Sequence, residues 1–331
     1  MRNMTAEDKA YLISIGSADI DSELLLENTL KTKATAGPGA GGESFFIRSG
    51  ERRVRLSINS SSTLKVIKSG DGVAVIEGDK QIAEGMLEFP LCHCPGQAYI
   101  TVSEHCIYDC KFCPVPKLEG GIKKPETVLK MVEEACEKGD ISAISLTGGV
   151  FESPEKEVER MALIVKMLRE KYDLPIGVSV YPTSDSAKIL KNAGADEIKY
   201  NVETMDAEIF EKVCPGLSLD FILESLKGAV DIFGRNSVSS NFIIGLGEDD
   251  ECVKNGVTRL SEMGIIPNLR PISQSPLRIG EIKIERPTAE RLIRLSAMTR
   301  DILKKNNLDA GLAKTMCLPC TGCDLTPFRD I

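Results

Sequence analysis

The sequence predicts an α/β fold, a partial (βα)6 TIM-type barrel that follows an N-terminal extension of helices and a small β-sheet. Two observations support this prediction. From Tyr99 onward, short apolar runs alternate with amphipathic stretches, which is typical of parallel strands joined by helices. Six such units are too few for a closed eight-stranded barrel. We therefore expect an open barrel whose functional residues lie at the carboxyl ends of the strands.

The N-terminal extension has a different texture from the barrel. Residues 5–33 carry two apolar stripes, which are typical of two helices. The glycine-rich stretch 36–42 is interpreted as a linker, because it lacks the Gly-Lys-Ser ending of a phosphate loop. Short β-like runs between residues 44 and 90, separated by Ser, Gly and Asp, predict a small meander.

The barrel region divides into six predicted βα units. The expected strands lie near 98–103, 142–146, 176–180, 196–202, 238–245 and 267–272. The expected helices lie near 125–138, 155–172, 184–193, 218–233, 249–263 and 288–305. The predicted division of the chain is 1–94 for the extension, 95–310 for the barrel and 311–331 for a cysteine-rich tail.

Composition narrows the class of function. The 331 residues include 41 basic and 49 acidic side chains, and the net charge of −8 argues against a general nucleic-acid binder. There is no apolar run of the roughly 18 residues that a membrane helix needs, and the first residues lack the apolar core of a signal peptide. We therefore expect a cytoplasmic protein whose eleven cysteines are reduced thiols or metal ligands. Only two histidines, His93 and His105, are present, which argues against a Ser–His–Asp hydrolase.

Cys106, Cys110 and Cys113 form a C-x3-C-x2-C loop directly after the first predicted barrel strand. Thiolates are the usual protein ligands of iron–sulfur clusters. Three of them hold three irons of a four-iron cluster and leave the fourth iron open to a small molecule. Free cysteines and a zinc site are the alternatives, although zinc sites more often show two separated C-x2-C pairs.

Further motifs follow the later strands in order. Thr147-Gly148-Gly149 ends the second strand, Asn201-Val202-Glu203 the fourth, Gly245-Leu246-Gly247 the fifth and Leu269-Arg270-Pro271 the sixth. Side chains two apart on a strand face the same way, so Asn201 and Glu203 are expected on one face. Together with the cysteine loop, these segments resemble the radical S-adenosylmethionine (SAM) superfamily over about residues 95–305, and biotin and lipoyl synthases within it.

The resemblance implies a cofactor and an activity. A 4Fe–4S cluster on the three cysteines would bind SAM and cleave it to a 5′-deoxyadenosyl radical, which abstracts a hydrogen atom from a C–H bond. SAM contacts are implied for Phe112, Thr147, Gly148, Gly149, Asn201, Glu203, Gly245, Gly247 and Arg270. Val150 departs from the family, which has an acid after the two glycines. Arg270 is expected to face the SAM carboxylate or an internal substrate group, or to point outward and form a salt bridge.

A second cysteine group lies in the tail. Cys317, Cys320 and Cys323 are spaced as two C-x2-C steps, and Cys92-His93-Cys94 precedes the first barrel strand. We hypothesise a second, auxiliary 4Fe–4S cluster on the three tail cysteines, with Cys92 or Cys94 as the fourth ligand. Structural zinc is the alternative. The isolated Cys136, Cys214 and Cys252 are interpreted as buried apolar residues.

The resemblance to biotin and lipoyl synthases implies sulfur insertion, with the auxiliary cluster as sulfur donor. The chain is similar to the archaeal two-protein lipoyl synthases, which implies an octanoylated lipoyl carrier protein as substrate, a second radical SAM protein as partner and an electron donor such as ferredoxin. The alternatives are an electron-relay cluster in peptide modification or metallocofactor assembly, and a non-catalytic iron–sulfur or zinc protein. One conflict stands in this hypothesis, because the path of the chain places the tail at the barrel face opposite the cysteine loop.

Overall fold

The computed structural model describes residues 3–25, 30–35, 37 and 39–331. Its N-terminal part contains helix α1 (Ala6–Ile15) and a β-sheet. The strands are β1 (Ser17–Ile20), β2 (Thr32–Lys33), β3 (Glu43–Ser49), β4 (Arg52–Ile58), β5 (Leu64–Ser69), β6 (Gly72–Glu77) and β7 (Lys80–Glu88). Their order is β2-β3-β4-β1-β5-β6-β7, and β3 also pairs with β7. This last pairing closes the sheet, so the strands of the predicted small meander form a small barrel.

The prediction of two helices over 5–33 was wrong in its second half. After α1, residues Ser17–Ile20 form strand β1 and residues Ser22–Leu25 form a single 3-10 turn, while 26–29 lie outside the described residues. Strand β1 pairs in parallel with both β4 and β5. These pairings join segments far apart in the chain, so a local apolar pattern does not reveal them.

The second sheet has six strands, all parallel and in chain order. They are β8 (Gln97–Thr101), β9 (Ala143–Thr147), β10 (Ile176–Ser179), β11 (Glu197–Lys199), β12 (Val238–Ile244) and β13 (Ile266–Pro271). The helices are α2 (Pro125–Lys138), α3 (Pro154–Arg169), α4 (Ser186–Ala193), α5 (Ala207–Val213), α6 (Leu219–Phe233), α7 (Asp250–Glu262) and α8 (Ala289–Lys305). The expected partial barrel is confirmed, and only the short α5 was not predicted.

The helices cover the outside of this sheet with apolar side chains. In α2, for example, Val128, Val132 and Ala135 are buried at helical spacing. They pack in one core with strand residues such as Ile100 and Ile144. Burial of a side chain as large as Val or Ile contributes about 1.5–3 kcal/mol, so these contacts fix the strands that carry the functional loops.

The C-terminal tail crosses the amino ends of the barrel strands. Glu197, at the start of β11, accepts hydrogen bonds from the backbone N–H groups of Lys314 (2.8 Å) and Thr315 (2.9 Å). The N–H of Met316 donates to Gln97 Oε1 at 2.9 Å, in β8. The short helix α9 (Cys317–Cys320) follows. These bonds place the tail cysteines beneath the barrel.

A buried ion pair joins the tail to α1. Lys9 Nζ lies 2.7 Å from Asp330 Oδ2, and both side chains are almost fully buried. The same ammonium donates to the carbonyl oxygen of Thr321 at 2.6 Å. The N-terminal part therefore holds the segment that carries the tail cysteines.

In the described part of the chain, no helix is long and apolar enough to span a bilayer.

Candidate active site

The cysteine loop follows β8 and is hydrogen-bonded to the end of β9. The N–H of Ile107 donates to the carbonyl oxygen of Val150 at 2.7 Å, and the N–H of Val150 donates to Cys106 Sγ at 3.4 Å. Cys106, Cys110 and Cys113 are all partly exposed. Burial raises the pKa of the Cys106 and Cys113 thiols. Binding of iron would replace the proton on each of them.

Gly149 is required where β9 meets the cysteine loop. A Cβ at this position would lie 2.2 Å from the carbonyl oxygen of His105 and 2.9 Å from the Cβ of Cys106. Only glycine permits so close an approach. The all-thiol donor set and this close support fit an iron–sulfur cluster on the loop.

The acid that the family places after the two glycines has no direct replacement here. Val150 is buried. The carboxylate nearest to Gly148 is Glu157, whose Oε1 would lie 3.0 Å from an added Cβ. Both oxygens of Glu157 already accept hydrogen bonds from Ser103, and one also accepts from Arg160. Glu157 therefore packs beside Gly148 and binds Ser103, which follows β8. Its position inside α3 did not reveal this contact.

Asn201 and Glu203 lie together beyond the end of β11. Burial raises the pKa of Glu203 to about 7, and a hydrogen bond from Asn201 partly opposes this shift. Glu203 has a left-handed backbone (φ 59°), and its carbonyl oxygen accepts from the N–H of Ile243 at 2.6 Å. Strained backbone at a non-glycine residue is often found at functional sites. The two side chains share a face as predicted, but a turn brings them together rather than a continuous strand.

The Gly245-Leu246-Gly247 turn is held from within the protein. Gly245 and Gly247 have φ values of 111° and 117°, which favour glycine. The carboxylate of Glu248 accepts the N–H groups of Gly245 and Leu246, each at 2.8 Å. Phe112, for which the family resemblance implied a contact with SAM, is 2% exposed and belongs to the barrel core.

A cavity of about 130 Å³ is lined by residues of the barrel strands, the C-terminal tail and the N-terminal part. The described residues that line it include Thr147, Asn201 and Glu203 at the carboxyl ends of the strands, and Cys317 and Cys323 in the tail. The tail therefore need not fold over the barrel mouth to face this space. Cys317 and Cys323 therefore line the same cavity as Asn201 and Glu203, and a cluster on the tail cysteines stays a prediction.

The cavity wall also accounts for Arg270. Its Nη1 lies 3.5 Å from Cys317 Sγ and 3.8 Å from Asp324 Oδ2, so it points inward toward the tail cysteines. The expected alternative of an outward salt bridge does not match this position, and the expected contact with SAM or an internal substrate group stays a prediction. The other predicted SAM contacts, Phe112, Gly148, Gly149, Gly245 and Gly247, are not among the cavity-lining residues that the structure describes.

Lys199 and Tyr99 are functional candidates that the sequence analysis missed. Lys199 is 4% exposed, and its Nζ lies 3.5 Å from both Tyr99 Oη and Cys317 Sγ. Within the described residues, no carboxylate lies within ion-pair distance of this ammonium. An unpaired buried charge is costly, so an anion beside Cys317 would be stabilised. A lysine in a buried strand gives no local signal of this arrangement.

Cys94, rather than Cys92, lies with the tail cysteines. Cys94 is fully buried and packs with Cys320 in one apolar cluster, and the neighbouring Cys320 thiol together with burial raises the pKa of the Cys94 thiol. Cys92 lies beside Lys138 and Glu134 of α2, and burial raises the pKa of its thiol to about 11.

The three isolated cysteines have different surroundings. Cys214 is buried as expected, and the neighbouring Cys110 thiol of the loop together with burial raises the pKa of its thiol. Cys252 is half-buried, and the prediction of burial was wrong for Cys136, which is exposed at the outer surface of α2.

Across the described residues, no three His, Cys, Asp or Glu side chains converge as the ligands of a single metal ion do. In a four-iron cluster each thiolate binds a different iron, so its ligands stand farther apart.

Comparison with known proteins identifies similar chains. The model of the radical SAM superfamily matches residues 100–259. The bacteriochlorophyllide c C-7(1)-hydroxylase of Chlorobaculum limnaeum is 24% identical over 217 residues, which cover 61% of this chain and 53% of that protein. Biotin synthase of Persephonella marina is 28% identical over 184 residues, which cover 52% of this chain and 53% of that protein. The chain thus aligns with about half the length of these relatives.

Solved structures show the same fold at low identity. Methylornithine synthase superposes with a TM-score of 0.51 at 18% identity, covering 70% of this chain and 72% of that chain. The FeFe-hydrogenase maturase of Carboxydothermus hydrogenoformans gives a TM-score of 0.55 at 16% identity, covering 63% and 52%.

Proposed function

Because this chain belongs to the radical SAM superfamily through residues 100–259, we propose that it cleaves SAM and inserts sulfur at an unactivated C–H carbon, as lipoyl synthases do. The bound cluster and SAM would supply a 5′-deoxyadenosyl radical for hydrogen abstraction. The observation that carries the proposal is the cavity that joins Asn201 and Glu203 to Cys317 and Cys323. A substrate carbon in this space would lie between Asn201 and Glu203 on one side and the tail cysteines on the other.

The residues at the upper end would hold SAM. Cys106, Cys110 and Cys113 would bind the cluster, leaving one iron for SAM. Asn201 and Glu203 present an amide and a carboxyl group beside Thr147, which suits the polar amino-acid part of SAM. Because the pKa of Glu203 is raised to about 7, the positive charge of a bound ligand would favour its ionised form.

At the lower end, Cys94, Cys317, Cys320 and Cys323 would bind the auxiliary 4Fe–4S cluster. Four thiolates bring a net negative charge into a buried site. Lys199 and Arg270, both 3.5 Å from Cys317 Sγ, would offset that charge. This match supports a cluster over four free thiols.

The proposed substrate is an octanoyl-lysine on a lipoyl carrier protein, with a second radical SAM protein as partner and a ferredoxin-type electron donor. An electron-relay function for the auxiliary cluster is a second candidate. It is favoured by the cavity wall, where Arg55, Lys199 and Arg270 suit a polar or anionic substrate better than an octanoyl chain.

The experiment is an anaerobic reaction with SAM, dithionite and an octanoyl-lysine carrier peptide. Sulfur insertion predicts a mass gain corresponding to sulfur and an equivalent loss of cluster sulfide. Formation of 5′-deoxyadenosine without sulfide loss on a different substrate would favour the relay. Absence of 5′-deoxyadenosine from the loaded protein would reject both functions and leave a non-catalytic iron–sulfur protein.

Cys317→Ala is the informative variant, and Cys252→Ala is its matched control because Cys252 lies outside both cysteine groups. We expect Cys317→Ala to abolish sulfur addition while 5′-deoxyadenosine still forms. Cys252→Ala is expected to behave as wild type. Retention of sulfur addition in Cys317→Ala would contradict the assigned role of the tail.

A further inference from the structure

The barrel is open between its first and last strands. Strands β8 and β13 form the two edges of the sheet, and no hydrogen-bonded pairing joins them in the described chain. The loop after β8, residues 102–124, carries the three cysteines. The loop after β13, residues 272–288, approaches it across the opening.

Arg278 connects these two loops. It lies at the end of the 3-10 turn Pro276–Arg278 and is 1% exposed. Its Nε donates to the carbonyl oxygen of Cys113 at 2.7 Å. Its Nη1 lies 2.7 Å from Asp109 Oδ1 and 2.8 Å from Glu281 Oε2. One side chain thus binds the cysteine loop at two points and its own loop at a third.

The remaining nitrogen of this guanidinium, Nη2, is buried without a hydrogen-bond partner in the protein. A guanidinium is a planar fork of five N–H donors, and Nε and Nη2 share one of its edges. Because the Nε–H points at Cys113, a hydrogen on Nη2 points along the same edge. A buried unsatisfied donor costs about 1–3 kcal/mol. An acceptor beside Cys113 would remove this cost.

We propose that Arg278 is a positioning residue for the iron–sulfur cluster of the Cys106–Cys110–Cys113 loop. Two of its nitrogens fix the Asp109–Cys113 half of the loop, and Nη2 donates a hydrogen bond to a cluster sulfur. The assignment depends on a cluster in this loop and not on sulfur insertion, so it stands even where the proposed substrate fails.

The physical consequence is a change in the reduction potential of the cluster. Hydrogen bonds to cluster sulfurs are among the factors that set this potential. A donor stabilises the reduced cluster more than the oxidised one, because reduction adds negative charge. Removal of the donor should therefore make the cluster harder to reduce.

The test compares Arg278→Met, Arg278→Lys and Lys117→Met with wild type. Lys117 is the matched control, because its ammonium also contacts Glu281 and donates to the carbonyl oxygen of Leu277 at 3.0 Å, whereas the contacts with Cys113 and Asp109 are made by Arg278. Lys117→Met removes one positive charge beside Glu281, as Arg278→Met does. Arg278→Lys keeps the charge but loses the fork. Every protein in the comparison also carries Cys317→Ala, which removes the tail cluster. Iron content is measured by chemical assay, and the midpoint potential is measured by EPR-monitored redox titration.

We expect a more negative midpoint potential in Arg278→Met and Arg278→Lys, and an unchanged potential in Lys117→Met. At a fixed reductant potential, the ratio of reduced to oxidised cluster should fall about tenfold, the equivalent of about 1.4 kcal/mol for one hydrogen bond. A wild-type potential in Arg278→Lys would overturn the proposal, since charge alone would then suffice. Should Arg278→Met fail to hold iron, the lysine variant still decides the question.

Discussion

The buried pair of Lys9 and Asp330 gives the sharpest prediction about stability. Lys9 is 0% and Asp330 2% exposed, and their charged atoms lie 2.7 Å apart. Lys9→Met would leave a buried carboxylate without its cation and would also break the bond to the Thr321 carbonyl oxygen. Loss of one partner from a buried pair typically costs about 3–5 kcal/mol. We expect a loss of this size in the free energy of unfolding at pH 7.

The effect should depend on pH in a defined direction. Burial raises the pKa of Asp330, and Lys9 opposes that shift. Removal of Lys9 therefore raises this pKa further, so the carboxyl group takes up its proton at a higher pH in the variant. Stability linked to a raised carboxyl pKa is present at low pH and lost as pH rises through the folded-state pKa. The difference in the free energy of unfolding between wild type and Lys9→Met should accordingly become smaller as the solution is acidified.

The assay is urea unfolding of metal-free protein, followed by circular dichroism, for wild type, both single variants and the double variant. Asp330→Asn is the second single variant, since it removes the carboxylate that Lys9→Met leaves unpaired. The double variant should lose less than the sum of the single losses. A loss below about 1 kcal/mol in Lys9→Met, or a deficit that does not change with pH, would refute this reasoning.

Three further outcomes are expected. Gly149→Ala should prevent full iron loading, because its Cβ would lie 2.2 Å from a backbone oxygen of the cysteine loop, whereas Gly121→Ala meets open space and should load normally. Cys317→Ala should lower the iron content of the anaerobically prepared protein by about four irons, while Cys252→Ala should keep it; full iron in the first variant would exclude the auxiliary cluster. Burial raises the pKa of Glu203 to about 7, so the free energy of unfolding of wild type should fall by up to about 3 kcal/mol between about pH 4.5 and 7. Glu203→Gln should remove this fall. An unchanged pH profile of urea unfolding in the variant would contradict this.

Much of the barrel follows from local patterns. Each of the six predicted strands overlaps an observed one, because strands covered by helices keep an apolar character that is readable in the sequence. Helix α3 begins at Pro154, one residue before the predicted start near 155, and Ser153 Oγ accepts the N–H of Lys156 at 3.2 Å. Helix α5 was missed because its seven residues are too few for a clear helical period.

The N-terminal part was predicted less well. Strand β1 is held by parallel pairing with β4 and β5, and the small barrel closes through pairing of β3 with β7. Parallel pairing and closure depend on segments that meet only in the folded chain. The apolar residues after α1 fit a helix or a strand equally well, so periodicity alone could not decide between them.

The sequence by itself determined which ligand groups the Cys106–Cys113 loop can offer, because three thiols lie within eight residues whatever surrounds them. Only the tertiary structure decided which other groups join them. It placed Cys94 rather than Cys92 beside Cys320, turned Lys199 and Arg270 toward Cys317 and set Arg278 against the cysteine loop. The physical reason is that these contacts join distant parts of the chain, and their geometry is fixed by packing and buried polar bonds that leave no local pattern.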